Sequence, residues 1–470
     1  MRKTAAPLLC FGAFCLPFCA AAADWPQAAA NPARTAHVDD EPQGPFEIAW
    51  VKGWPGEVIF NTCQPIVVDG RVFVGSQNGI VHAVDLATGN DLWQADIGAP
   101  IVHTLASDGR RVFAAALDGA VRALDCASGE IAWEKKLSRR GFSAAPLLMD
   151  GALYIGCRDG VFYALAADAG ELLWQRDTGA PIAQTAAGAQ GRVVCVNFAM
   201  RAFCLDARSG KVLWTAQLPG GLVRDYWPVI YRGRVIIRVH PAGPKALGGG
   251  VPPLQQKFFW PVAYGPVPNQ KVLFKARTVD DIIAEQDIVA EFYKTHRPLR
   301  TCVVLNLADG SEPYVTSLTA ACVNGGVAPP PALAGDGNLY VTFRTSAAAR
   351  GFVDITRCAV GRFDIDTGKI AKPILCGGAE GVDKVVGVRS PFEVTSDETT
   401  TLSSGGMVLF GMRCDETPGA IHVLTRKTFR IPNVALPRAS DMQPSGNIIV
   451  ISGKYVLFTK QSHIVCAKGR

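Results

Sequence analysis

The chain has 470 residues with 48 glycines, 31 prolines and 19% charged residues, the usage of a turn-rich folded protein rather than a disordered one. Its formal net charge of +6 comes from acids and bases interspersed along the chain, which excludes the basic stripe of a nucleic-acid-binding protein. Beyond the first residues no apolar run is long enough to span a bilayer.

Residues 1–23 read as a secretory signal peptide: Arg2 and Lys3, an apolar run from Pro7 to Ala20, then small residues up to Ala23, where cleavage is expected. Lipidation at Cys19 would need a small residue before it, and Phe18 is bulky. Cleavage lowers the charge to +4 and leaves 11 of the 14 cysteines, scattered singly without zinc or haem spacing. The mature chain, residues 24–470, is expected to be one domain in an extracytoplasmic compartment, periplasmic or secreted.

Next comes an isolated strand, FEIAWV at 46–51, with Trp50 near its end. Four repeats follow, over about residues 61–98, 99–138, 140–180 and 181–219. Trp93, Trp133, Trp174 and Trp214 are 40, 41 and 40 residues apart, each four residues after a glycine. Within a repeat, alternating strands flank Asn78-Gly79, Asp118-Gly119 or Asp159-Gly160, pairs that suit two-residue hairpin turns. Asp85, Asp125 and Asp206 stand before Thr/Ser-Gly; recurrence from repeat to repeat marks these carboxylates as turn-forming rather than catalytic. The same hairpin geometry places Cys195 opposite Cys204, which leaves a cross-strand disulfide or two buried thiols open.

A fifth repeat begins at DYWPVIY, is interrupted over 241–300, and resumes with Tyr314 in the tryptophan position. The first half of the interruption is loop-like and carries Phe258, Phe259, Trp260 and Tyr264. The second half has helical periodicity through Val279, Ile282, Ile283, Val289, Phe292 and Tyr293, with Thr278 as N-cap and Asp280 and Asp281 in the first turn. Such an insertion either lids the channel mouth and docks a partner, or covers the weak fifth to seventh repeats. The last repeat supplies only three strands before the chain ends, and the strand at 46–51 completes it. The expected fold is all-β: an eight-bladed propeller of four-stranded antiparallel blades, closed by the N-terminal strand, with seven blades as the alternative count and one helical insertion.

The Asp-x-x-Thr-Gly-x-x-x-Trp pattern resembles the repeats of the pyrroloquinoline-quinone (PQQ)-like propeller superfamily, and DWPQAAANPART resembles the segment that precedes the first blade in such proteins. The resemblance implies one of two classes. Quinoprotein dehydrogenases hold PQQ and calcium over the channel and oxidise alcohols or sugars; their adjacent-cysteine disulfide has no counterpart here. Non-catalytic propellers, such as the barrel-assembly lipoprotein branch, use the fold as a scaffold. The second reading is favoured: no catalytic residues and no metal or cofactor, with a protein or glycan partner, and PQQ with calcium as the alternative. Aligning the inner strands sets Asn61, Thr62, His103, Gln184, Arg224, Asp225, Tyr226, Trp227 and Arg389 around one channel mouth, as a ligand or partner site or as an ordinary polar lining.

Overall fold

The structure, a computed structural model, describes residues 24–60, 62–223, 226–239, 283–284, 286–318, 330–347, 355–375, 402–404, 407–410, 419–422, 428–432, 434, 449–460 and 462–470. Their strands form a series of antiparallel sheets whose first strands pack around a common axis. In the first unit these strands are Ile66–Val68, Arg71–Gly75, Ile80–Asp85 and Asp91–Asp96, in spatial as in chain order. The first strands of successive units meet side by side, and Ile449–Ser452 of the last lies against Ile66–Val68, so the ring closes.

Seven of the sheets have four strands or more, and the unit between the fourth and sixth has three described strands, Val229–Tyr231, Arg234–Arg238 and Cys302–Asn306. Among the described residues eight complete blades are therefore not present; the count of seven fits, with the three-stranded sheet standing among them in the ring. Its missing outer strand has a local cause. Pro313 has no N–H to give a ladder, and Glu312 is drawn to Arg300, both carboxylate oxygens lying 2.7 and 2.9 Å from Nη1. The N-terminal strand does complete the last blade: Glu47–Gly53 runs antiparallel to His463–Lys468.

The repeated motif is an inter-blade joint. Trp50, Trp93, Trp133, Trp174 and Trp214 each donate their indole N–H to a carbonyl of the next unit, those of Leu86, Cys126, Ala167, Ala207 and Leu307, at 2.8 to 3.2 Å. Tyr314 donates likewise to Ile365. Each ring lies on the glycine of the neighbouring turn. Gly129 has φ +76, and a Cβ there would stand 2.5 Å from Trp93, so the motif needs glycine for both backbone and space. Asp125 accepts from the amides of Ala127 and Ser128 in that turn, which holds its carboxyl below the usual range. This is the scaffold role the recurrence pointed to.

The hairpins at Asn78-Gly79, Asp118-Gly119 and Asp159-Gly160 are not two-residue turns. Ser76 N–H bonds to Ile80 O and Gly79 N–H to Ser76 O, and of the pair only Gly79 has positive φ, so the loop holds three residues. In the fourth blade this extra residue shifts the register by one. Cys195 faces Phe203 and Cys204 faces Val194, so the two thiols point to opposite faces of the sheet. Both are free, and they belong to separate cores on either side of the blade. The paired position expected for a disulfide is corrected accordingly.

Within the insertion, the described helix Gln286–Thr295 buries Gln286, Val289, Phe292 and Tyr293. Gln286 bridges two units: its Nε2 donates to Ile370 O at 3.0 Å, and its Oε1 accepts from Ile370 N–H and from the Ser317 hydroxyl. The helix thus covers the junction of the fifth and sixth units, where the outer strand is missing. Thr278, Val279, Asp280, Asp281 and Ile282 lie outside the described residues.

Candidate functional site

Each first strand begins on one face of the ring, called here the upper face; the turns between second and third strands and the ends of the fourth strands share it. Of the residues expected around the upper mouth of the axis, Asn61, Arg224, Asp225 and Arg389 lie outside the described residues, as do Phe258, Phe259, Trp260 and Tyr264 of the insertion. Thr62, His103, Gln184, Tyr226 and Trp227 do stand at or just before the inner strands. They do not form an open funnel: His103, Gln184, Tyr226 and Trp227 are all buried.

The cause is the segment that precedes the orphan strand. Asp24 accepts from Asp69 N–H on the lower face, and the chain then winds around the axis, bonding to one inner strand after another. Trp25 exchanges two backbone bonds with Val67, Pro26 O accepts from Ser107, and Gln27 takes both the N–H and the carbonyl of Leu148. Pro32, Ala33 and Thr35 carbonyls accept from Gly188, Ile230 and Leu333 at 2.8 to 2.9 Å, and His37–Val38 pairs parallel to Ser403–Ser404. Ala28 and Ala29 are fully buried, as small side chains must be to fit inside the ring.

Arg34 fills the centre and has no solvent exposure. Its guanidinium donates to the carbonyls of Ala186 (2.9 Å), Pro146 (3.3 Å) and Ala28 and to Gln27 Oε1 (3.2 Å). Burial pulls its pKa down to about 9, which still leaves it charged at neutral pH. Four backbone positions in this turn, Ala29, Ala30, Arg34 and Ala36, have φ between 51 and 67° without being glycine, a cost borne by the bonds to the blades. The segment DWPQAAANPART marks this plug in the sequence, though nothing in its local pattern tells that Arg34 lies on the axis.

The described hydroxyls of the mouth are spent on blade-to-blade bonds, while Gln184 Oε1 and Trp227 Nε1 are buried without a hydrogen-bond partner. Thr62 Oγ1 donates to Val102 O, Thr104 Oγ1 donates to Thr62 O at 3.1 Å and accepts from Gln64 N–H at 2.9 Å, and Thr185 Oγ1 accepts from Ala145 N–H at 3.0 Å. His103 Nδ1 accepts from Thr104 N–H at 2.9 Å, which leaves the proton on Nε2, 3.4 Å from Thr185 Oγ1. Burial first, and the Arg34 charge second, push its pKa down to about 3, so it is a neutral structural imidazole and no general base near neutral pH. Thiols are likewise disarmed: burial lifts Cys63 to about 12 and Cys302 to about 11.

PQQ is a tricarboxylate, and calcium takes about six to eight oxygen ligands, chiefly carboxylates and carbonyls. Thr62, His103, Gln184, Tyr226 and Trp227 include no carboxylate and no cation at neutral pH, and Arg34 is committed to its four oxygens. Among the described residues no group of three His, Cys, Asp or Glu could hold a metal ion. The described part of the mouth holds no carboxylate, and Asn61, Arg224, Asp225 and Arg389 lie outside the described residues.

Residues 47–159, 77–189 and 158–243 match the family described as outer membrane protein assembly factor BamB. The protein of that description from Yersinia pestis is 25% identical over 202 residues, which are 41% of this chain and 40% of the relative. Among solved structures, quinohemoprotein alcohol dehydrogenase from Comamonas testosteroni is similar over 95% of this chain and 81% of its own, with TM-score 0.58 and 15% identity. A europium-containing methanol dehydrogenase is similar over 93% and 89%, with TM-score 0.58 and 13% identity; at such identities the likeness is one of fold. The ring makes the chain a β-propeller, and its residues 47–243 are similar to the repeats of the PQQ-like superfamily.

Proposed function

We propose that this chain is an exported, non-catalytic propeller scaffold that binds a protein partner on its outer surface, as the assembly-factor description of its sequence relative favours. The observation that carries the reading is the filled axis. Arg34 and the alanines around it occupy the ring and the described mouth hydroxyls join blades, which favours a scaffold over a cofactor site on the axis. What remains for recognition is the exterior of the ring, the surface on which a repeat scaffold offers shape and charge. Export rests on residues 1–23, with cleavage after Ala23 placing Asp24 at the start of the plug.

The test is a titration of residues 24–470 with PQQ, with and without calcium, followed by tryptophan fluorescence. A flat titration is expected. Saturable, calcium-dependent quenching would overturn the reading and make the protein a candidate alcohol or sugar dehydrogenase.

A further inference from the structure

Three arginines stand on neighbouring segments of the upper rim over the second and third blades. Arg139 and Arg140 lie in the connection between those blades, directly before Gly141, and Arg158 is in the hairpin turn of the third blade. Arg158 N–H bonds to Gly141 O at 3.2 Å, and Cys157 Sγ lies 3.2 Å from the same carbonyl, so turn and connection are held together. All three side chains are exposed, and none makes an ion pair among the described residues. Of the acids on this side, Asp118 pairs with Arg122 and Lys136, Asp159 accepts from the Tyr163 hydroxyl and Val161 N–H, and Asp177 accepts from Gly179 N–H. In the next blade the corresponding turn begins with Phe198, 41% exposed, its N–H fixed to Pro181 O.

We infer that this rim is the docking surface for an acidic segment of the protein partner, an inference that rests on the scaffold reading above. Arginine forks take carboxylates two oxygens at a time, and Phe198 offers an apolar seat one blade further on. A planar anionic membrane fits less well. The same face exposes Asp96 and Asp177 at the ends of the fourth strands, which a flat negative surface would meet and a narrow peptide passes by.

The experiment uses residues 24–470 and the variant Arg139→Gln/Arg140→Gln/Arg158→Gln, with Arg110→Gln/Arg208→Gln on the lower face as the charge control. A fluorescein-labelled acidic peptide carrying one phenylalanine is titrated by anisotropy, and thermal melts check that each variant folds. The triple variant should weaken binding about tenfold, the sum of three exposed charge contacts, and the control should not. Equal loss in both variants, or in neither, overturns the inference, as does stronger arginine-dependent binding to phosphatidylglycerol vesicles than to the peptide. In the exporting cell, a photo-crosslinker at Phe198 should give a protein adduct that the triple variant loses. An adduct that persists in the triple variant refutes the arginine rim and leaves the scaffold standing. No adduct from Phe198, from Leu117 in the hairpin turn of the second blade or from Leu222 in the connection after the fourth blade refutes the scaffold reading with it.

Discussion

Arg34 Nε donates to the carbonyl of Ala186 across 2.9 Å although 152 positions separate them in the chain. The bond ties the N-terminal plug to the fourth blade, and the other guanidinium bonds tie it to the third blade and to the plug's own turn. Arg34→Met keeps much of the volume and removes every donor. It should destabilise the protein by about 3 kcal/mol or more, because several buried acceptors lose their partners together. Urea denaturation followed by circular dichroism measures this, and an unchanged midpoint would show that the plug is not part of the cooperative unit.

A second expectation concerns the joint between blades. Gly129→Ala puts a methyl group 2.5 Å from Trp93 on a backbone at φ +76. Strain and overpacking together should cost about 3 kcal/mol. Trp93→Phe, which removes only the bond to Cys126 O and part of the ring, should cost about half as much. Thermal melts of the two variants test the order; a smaller loss for Gly129→Ala than for Trp93→Phe would contradict the packing described.

His103 gives a pH signature. Its folded pKa, about 3, lies below the usual imidazole value of 6.5, so between those values the unfolded chain binds the extra proton. Stability from this group is complete above pH 6.5 and falls as pH drops toward 3, by up to about 1.4 kcal/mol per unit. His103→Gln removes that slope. The deficit of the variant against the parent should be largest near pH 7 and narrow steadily toward pH 4 in urea titrations. A deficit constant across that range would mean that His103 is solvated in the folded protein.

Cys195 and Cys204 should both be alkylated when the protein is denatured without reductant, and intact mass should show no loss of two hydrogens between them, because their side chains leave opposite faces of the blade. Undenatured protein should react slowly at both, since burial raises the Cys204 pKa to about 12 and Cys195 higher still. A peptide pair linked through these two residues would refute the register.

Spacing of four tryptophans and the glycines before them was enough, without coordinates, to specify a ring of small sheets, because a joint repeated in every blade must be written in every blade. The closing strand was legible for the same reason: Trp50 is that joint in a segment otherwise without a sheet. Register was not legible, since a three-residue loop and a two-residue turn differ by one residue, and that difference turns Cys195 away from Cys204. Nor was the state of the axis. Thr62, His103, Gln184, Tyr226 and Trp227 stand at or just before the inner strands, but whether they face solvent depends on where residues 24–38 run, and their path is fixed by backbone bonds to inner strands far along the chain. Local pattern determines the blades; only closure of the ring decides what is trapped inside it, because carbonyls such as those of Ala186 and Pro146 converge on Arg34 only once the blades are assembled.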